Sequence, residues 1–506
     1  MRKHRLPSKR DAALCKLQAD LLCRGFMDFG IALTLGATAL GLVARFTLPG
    51  LQVGVIARAT SLLLATWLLV VLPAYAGSQL PSAEVAAIDV RSYSARIEPD
   101  LARGSLHGQV RIDLRVLTAA PELEFDAGEL VIDAVREDGV ALPFAMEGGR
   151  LRITLPRAAR PGERHALDIG YHGTPRFGLQ FQPQRGELYT IFSTDQWLVC
   201  INAPRERATL DLSVVLPADV TAVGNGRALP VRRLADGRSL HRWRQSVPVP
   251  SYVYGFAAGR YTQVHERAGP ARLRYLSVDL DAQQLRQVFA DTGDMLRFFG
   301  ERAGRPYRGD YTQALVARTV GQELAGFSLM SESYGLQVLE RPTAQGLIAH
   351  EAAHQWWGNM VTCEDWTHFW LNEGFASFMA AAYLQHRFGD EEYRKQVEGW
   401  MQRLERLRAA GTDRALVFDN WDKPTADDRA VVYQKGAYVI HLLREELGED
   451  VFWRGIGEYT RAYYGRSVNT ADFQQAMQRV SDKDLSAFFD RWVYGHGDTR
   501  PPLDEP

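Results

Sequence analysis

His350-Glu351-Ala352-Ala353-His354-Gln355-Trp356-Trp357-Gly358-Asn359, with Trp370-Leu371-Asn372-Glu373-Gly374-Phe375-Ala376-Ser377 after it, decides how this chain is read. The first segment sits in an apolar pattern that predicts a helix over 344–359. Residues four apart share a helix face, so the imidazoles of His350 and His354 can converge on one metal ion. Glu351 between them lies beside that ion. Eighteen residues separate His354 from Glu373. Glu373 falls on the next predicted helix, 371–388, which closes at Gly389 as a C′ residue. An antiparallel return brings its carboxylate to the same ion. Zinc suits two imidazoles and a carboxylate, with the fourth position left to water; such a set is catalytic rather than structural. Glu351 is then the general base on that water. A bare H-E-x-x-H also arises as a helix with two surface histidines. The second glutamate, its spacing and the dense aromatic surroundings set that reading aside.

Around this centre the period changes. Residues 84–268 read as β: Val110, Ile112, Leu114 and Val116 alternate with Arg111, Asp113 and Arg115, the mark of a half-buried strand. Glu147-Gly148-Gly149, Asn225-Gly226 and Asp236-Gly237 supply turns between such runs. This is an antiparallel sandwich or saddle domain. Helical spacing then takes over at 282–302, at 344–359 and at 371–388. A charged helix follows with Asp390 as its cap, and the chain from Asp427 onward is helical, with Asn469-Thr470 as a capping signal. The class is α+β, with the catalytic part at 269–440 and a helical C-terminal part at 441–506.

Composition narrows the possibilities. A chain of 506 residues with 46% hydrophobic and 24% charged residues is globular, with room for about three domains. Lys plus Arg number 59 against 60 Asp plus Glu. That balance creates no basic field, so nucleic acid is not an expected partner. Four cysteines make no disulfide scaffold in a chain this long. Whether Cys200 and Cys363 pair is open at this stage.

Residues 1–83 stand apart as a hydrophobic N-terminal region. Ser61 to Leu72 form a dense apolar run before Pro73-Ala74-Tyr75-Ala76-Gly77, the pattern of a signal peptide and its cleavage site. Two readings account for its position, translation starting near Val55 or a membrane anchor of one or two spans; a buried hydrophobic helical hairpin is the plainer alternative. Lys and Arg crowd the first residues and are missing between Gly77 and Val90, which places the main body outside under either reading. The expected location is extracytoplasmic, periplasmic or membrane-tethered.

The quoted segments resemble the zinc aminopeptidases of peptidase family M1, the gluzincins, over about residues 85–500. The resemblance implies a thermolysin-like catalytic domain behind an N-terminal β domain. It implies one zinc ion on His350, His354 and Glu373, with Glu351 as base. Tyr433-Gln434-Lys435-Gly436-Ala437 is similar to the family's Y-x-K-G segment, whose tyrosine stabilises the developing oxyanion; that role falls to Tyr433. Gly321-Gln322-Glu323-Leu324-Ala325-Gly326 is similar to the G-x-M-E-N-x-G strand edging the cleft. There Glu323 binds the free α-amine of a peptide, and Gly321 belongs to the same substrate-binding strand. Cys200-Ile201-Asn202-Ala203-Pro204 resembles P-C-x-D-x-P.

Three departures qualify the picture. Gln322 and Leu324 replace the strand's methionine and asparagine. The N-terminal Gln and Glu that usually complete the amine site are not evident near Thr190-Ile191-Phe192-Ser193. The large helical C-terminal domain of longer members is missing, which implies a short form with an open cleft. The expected function is therefore an aminopeptidase acting on peptides with a free N-terminus. A zinc endopeptidase or other open-cleft zinc hydrolase, and a non-catalytic peptide-binding scaffold, are the alternatives.

Overall fold

The computed structural model describes residues 87–495, apart from 420, 422 and 423. The signal-peptide and anchor readings of residues 1–83 lie outside the described residues. Among the described residues no helix is long and apolar enough to cross a membrane.

The first half is built on one long strand. Ile88–Asp100 pairs antiparallel with Ser105–Val116 and, on its other edge, parallel with Arg207–Leu216. The parallel pair departs from the antiparallel expectation. It arises because the excursion through 117–206 returns the chain to the end of the sheet where the first strand began. An eight-stranded sheet results. Val110, Ile112, Leu114 and Val116 face inward and Arg111 and Arg115 face water. The inward residues share a core with Leu123, Phe125, Leu151 and Ile153 from a three-stranded sheet. A four-stranded sheet, which includes Glu187–Thr190 and Phe256–Gly259, completes this half.

The second half starts with a five-stranded mixed sheet. Its strands run in the order Thr262–Ala268, Ala271–Ser277, Gly309–Val316, Phe327–Ser331 and Gly321–Gln322. The first two form a hairpin, so the turn after residue 268 lies inside this sheet. Gly321–Gln322 forms its free edge.

The helices that follow differ from the expectation in three ways. The single helix over 282–302 is two, Ala282–Val288 and Thr292–Arg302. Between them the Asp291 carboxylate accepts from Gln345 Nε2 and Arg387 Nε, both at 3.0 Å, and these bonds fix the break. The helix over 344–359 is shorter, Gly346–Ala353. Beyond it the chain runs in turns to Gly358, whose φ of 130° is a conformation that disfavours side chains. Asp390 begins its helix rather than capping it; Gly389, at φ 95°, holds the cap position.

Trp370–Phe388 matches the helix expected over 371–388 to within a residue. Asn469 caps Thr470–Ser481 in a capping box with Asp472. Trp356, Trp357 and Trp370 are buried, and each indole N–H has a partner: Arg305 O, Thr460 Oγ1 and Thr470 Oγ1. Cys200 and Cys363 are buried free thiols.

Candidate active site

Helix Gly346–Ala353 presents His350, with His354 one turn on in αR conformation at its C-cap. Helix Trp370–Phe388 presents Glu373 in its first turn. The two helices pack so that three ligand atoms converge. His350 Nε2 and His354 Nε2 are 3.0 Å apart, and Glu373 Oε2 lies 3.2 Å and 3.4 Å from them. Tetrahedral zinc with bonds of about 2.0–2.1 Å sets its ligand atoms about 3.3 Å apart, so the trio fits that ion. Glu373 Oε2 is buried and makes no hydrogen bond of its own, as a metal-directed oxygen should. His354 Nδ1 donates to Trp357 O at 2.9 Å, which turns the Nε2 lone pair toward the site. Burial opposes charge on Glu373, but the His354 and His350 imidazoles outweigh it and hold the carboxyl at about 2. An ionised carboxylate is a competent ligand.

Glu351 sits beside this trio. It is 4% exposed, its Oε2 lacks a partner, and burial pushes its carboxyl well above the usual range. A raised carboxyl holds a proton more readily than a free one, which suits it to taking a proton from water. The free edge strand passes directly over it: a Cβ at Gly321 would fall 1.9 Å from Glu351 Oε1. A side chain at 321 would thus push the base out of its place. Glu323, just beyond that strand, is 8% exposed, and burial raises its carboxyl too. It accepts from Gln322 Nε2 at 2.8 Å, while Gln322 Oε1 accepts from Phe192 N at 2.6 Å. Gln322 therefore ties the edge strand to the N-terminal half. Thr190, where the resemblance looked for an amine-binding side chain, is fully buried and bonded to Phe256.

Tyr433 arrives from the opposite side. It stands on a π-helical turn, Val431–Lys435, that feeds helix Gly436–Leu447. Its ring stacks on His350 at 5.8 Å and 12°. Burial, then the Glu373, Glu323 and Glu351 carboxylates, raise its phenol well above the usual value, so it keeps its proton to donate. Two glycines permit this approach. Gly374, next to Glu373, meets Gly436 so closely that a Cβ on Gly374 would lie 2.9 Å from Gly436 Cα. The π-turn and the glycine crossing left no periodic signal in the sequence.

Residues 90–253 match the Peptidase M1 N-terminal domain and residues 328–492 the peptidase family M1 domain. The chain belongs to peptidase family M1. Leucine aminopeptidase 2 of Aspergillus oryzae is 27% identical over 433 residues, covering 78% of this chain and 68% of that one. The Aspergillus fumigatus enzyme of the same name is 29% identical over 406 residues, covering 74% and 64%. This M1 chain thus spans about two thirds of the length of these fungal relatives. An M1 zinc metallopeptidase from Deinococcus radiodurans superposes with a TM-score of 0.71 at 25% identity, over 85% of this chain and 97% of that one. A glutamate-to-alanine variant from the same organism, bound to a Tyr-Ser-Ala substrate, gives 0.72 at 25% identity over 85% and 99%. This M1 peptidase is a hydrolase of peptide bonds, and its metal is zinc.

Among the described residues one other cluster has metal-ligating chemistry, Glu364, Asp365 and His368. Its members are half-buried and already engaged. Asp365 caps the turn that follows it, Glu364 accepts from Asn469 Nδ2, and His368 meets Thr470 Oγ1.

Proposed function

We propose that this M1 chain is an aminopeptidase that removes the first residue of peptides carrying a free N-terminus. The observation that carries the proposal is the convergence of His350, His354, Glu373, Glu351, Glu323 and Tyr433 on one point beneath a free sheet edge. His350, His354 and Glu373 would hold the zinc, which when bound polarises the scissile carbonyl and acidifies water. Glu351 takes the proton of the attacking water and returns it to the leaving amine. Tyr433 donates to the oxygen that becomes negative as the carbonyl is attacked. Glu323 pairs with the ammonium of the first residue, whose burial without a carboxylate would be costly. A peptide entering along Gly321–Gln322 can extend the sheet by one strand.

The test compares one peptide with a free and with an acetylated N-terminus. Cleavage of the free form alone, lost on chelation and restored by zinc, is the expected result. A second reading, a zinc endopeptidase, draws on one observation: Thr190-Ile191-Phe192-Ser193 bring no second carboxylate to Glu323, and Thr190 is buried and bonded to Phe256. Equal cleavage of both peptides would establish that reading and overturn the first.

The proposal extends to location. The apolar run from Ser61 to Leu72 and the small residues after it support export of the body beyond Gly77. Residues 55–90 fused to an enzyme active only outside the cytoplasm should give an active reporter; an inactive fusion would refute export.

A further inference from the structure

The zinc-site helices belong to the catalytic half, yet the turn between them is held by side chains from the other half. Tyr252, 8% exposed, lies in the turn Ser251–Val253 that follows the last long strand of the N-terminal sheet. Its hydroxyl donates to Gly358 O at 2.9 Å and accepts from Asn372 Nδ2 at 3.0 Å. Gly358 follows Trp357, whose carbonyl orients His354; a Cβ on Gly358 would lie 2.7 Å from His354 Nδ1. Asn372 precedes Glu373, and its Oδ1 accepts from Cys363 N at 2.9 Å. One hydroxyl therefore joins the turn behind His354 to the turn that carries Glu373.

Arg207 grips the same loop from alongside. Its guanidinium donates to Thr362 Oγ1 at 2.7 Å, Asn359 O at 2.9 Å and Pro248 O at 3.2 Å. Thr362 Oγ1 passes the restraint on to Gly358 O at 2.6 Å, and Asn359 Nδ2 donates to Glu323 O at 2.8 Å. Among the described residues Arg207 has no carboxylate in ion-pair range. A planar fork on carbonyls and a hydroxyl sets the angle of a loop as well as its distance, which a lysine cannot do.

We infer that Tyr252 and Arg207 are positioning residues through which the N-terminal half sets the spacing of the zinc ligands and of Glu323. Ligands held to a few tenths of an ångström need such outer support, and its loss typically lowers metal affinity about 10–100-fold. The inference rests on the zinc reading above.

Tyr252→Phe removes only the hydroxyl. It should weaken zinc affinity about 10-fold in competition with a chelator, and it should lower kcat with little change in KM. Amides of 358–363 and 370–373 should exchange faster in the metal-free protein. Arg207→Lys should share these effects. Tyr171→Phe is the control, since its hydroxyl bonds Trp197 O inside the N-terminal core at 3.1 Å; it should leave zinc affinity and that exchange unchanged. Wild-type affinity and exchange in Tyr252→Phe, or equal losses in Tyr171→Phe, would overturn the inference. Failure of the wild-type protein to bind zinc would instead overturn the zinc reading itself.

Discussion

Glutamine at position 351 keeps the size of the side chain and removes its capacity to accept a proton. Glu351→Gln should lower kcat/KM by about a hundred- to ten-thousand-fold, while zinc content by metal analysis stays at one per chain. Substantial activity in this variant would remove Glu351 as base. Tyr433→Phe deletes one donor aimed at developing charge, so kcat should fall about a hundred- to thousand-fold with KM nearly constant. A rise in KM alone would make Tyr433 a binding residue. These residues differ in how far the sequence betrays them. His350 and His354 announce themselves because a helix repeats every 3.6 residues, and the next helix returns Glu373. Tyr433 and Glu323 have no spacing that leads to the metal. One stands on a π-turn, whose extra residue shifts the face it presents, and the other just past a two-residue strand. Only the likeness of their segments to the family drew attention to them.

At the scale of elements, the helix of Glu373 crosses the helix after Tyr433 at Gly374 and Gly436. A methyl at Gly374 has nowhere to go, since the atoms it meets are backbone. Gly374→Ala should destabilise the fold by about 1–3 kcal/mol, the range for an overfilled core, and should reduce kcat by moving Tyr433 from His350. Urea unfolding and steady-state kinetics on the same sample would check both; unchanged values would mean that the crossing is loose. Element boundaries were the least legible part of the chain. The breaks at Asp291 and Gly358 depend on Arg387, Gln345 and the His354 ring, which lie far away in sequence or become neighbours only after folding. The strand alternation at 110–116 was legible because burial on one face enforces it directly.

At the scale of the whole molecule, stability should depend on a buried acid in the N-terminal half. Asp195 is 9% exposed, and burial raises its carboxyl from 3.8 to about 6. The folded state therefore keeps a proton that the unfolded chain releases earlier. The contribution of Asp195 to stability falls as pH rises from about 4 to about 6 and levels off above, by about 2–3 kcal/mol. Asp195→Asn cannot titrate. The difference in unfolding free energy between variant and parent should grow in the variant's favour across that window, then stay flat. A difference independent of pH would show that Asp195 does not titrate there. The two-part architecture was legible from the change of period near residue 270. The cross-talk between the parts was not, because Tyr252 and Arg207 sit in ordinary strand and turn sequence and acquire partners only when the halves meet.

The free thiols of Cys200 and Cys363 have a consequence for where such an enzyme can work. Both are wholly buried, and burial pushes both well above the usual thiol value. Almost no thiolate forms at neutral pH, and the thiolate is the species that oxidants attack. Among the described residues there is no cross-link that a reductant could cut, and neither cysteine thiol is within reach of an oxidant. The two thiols of the described core thus neither need an oxidising environment to form a bond nor are readily consumed by one.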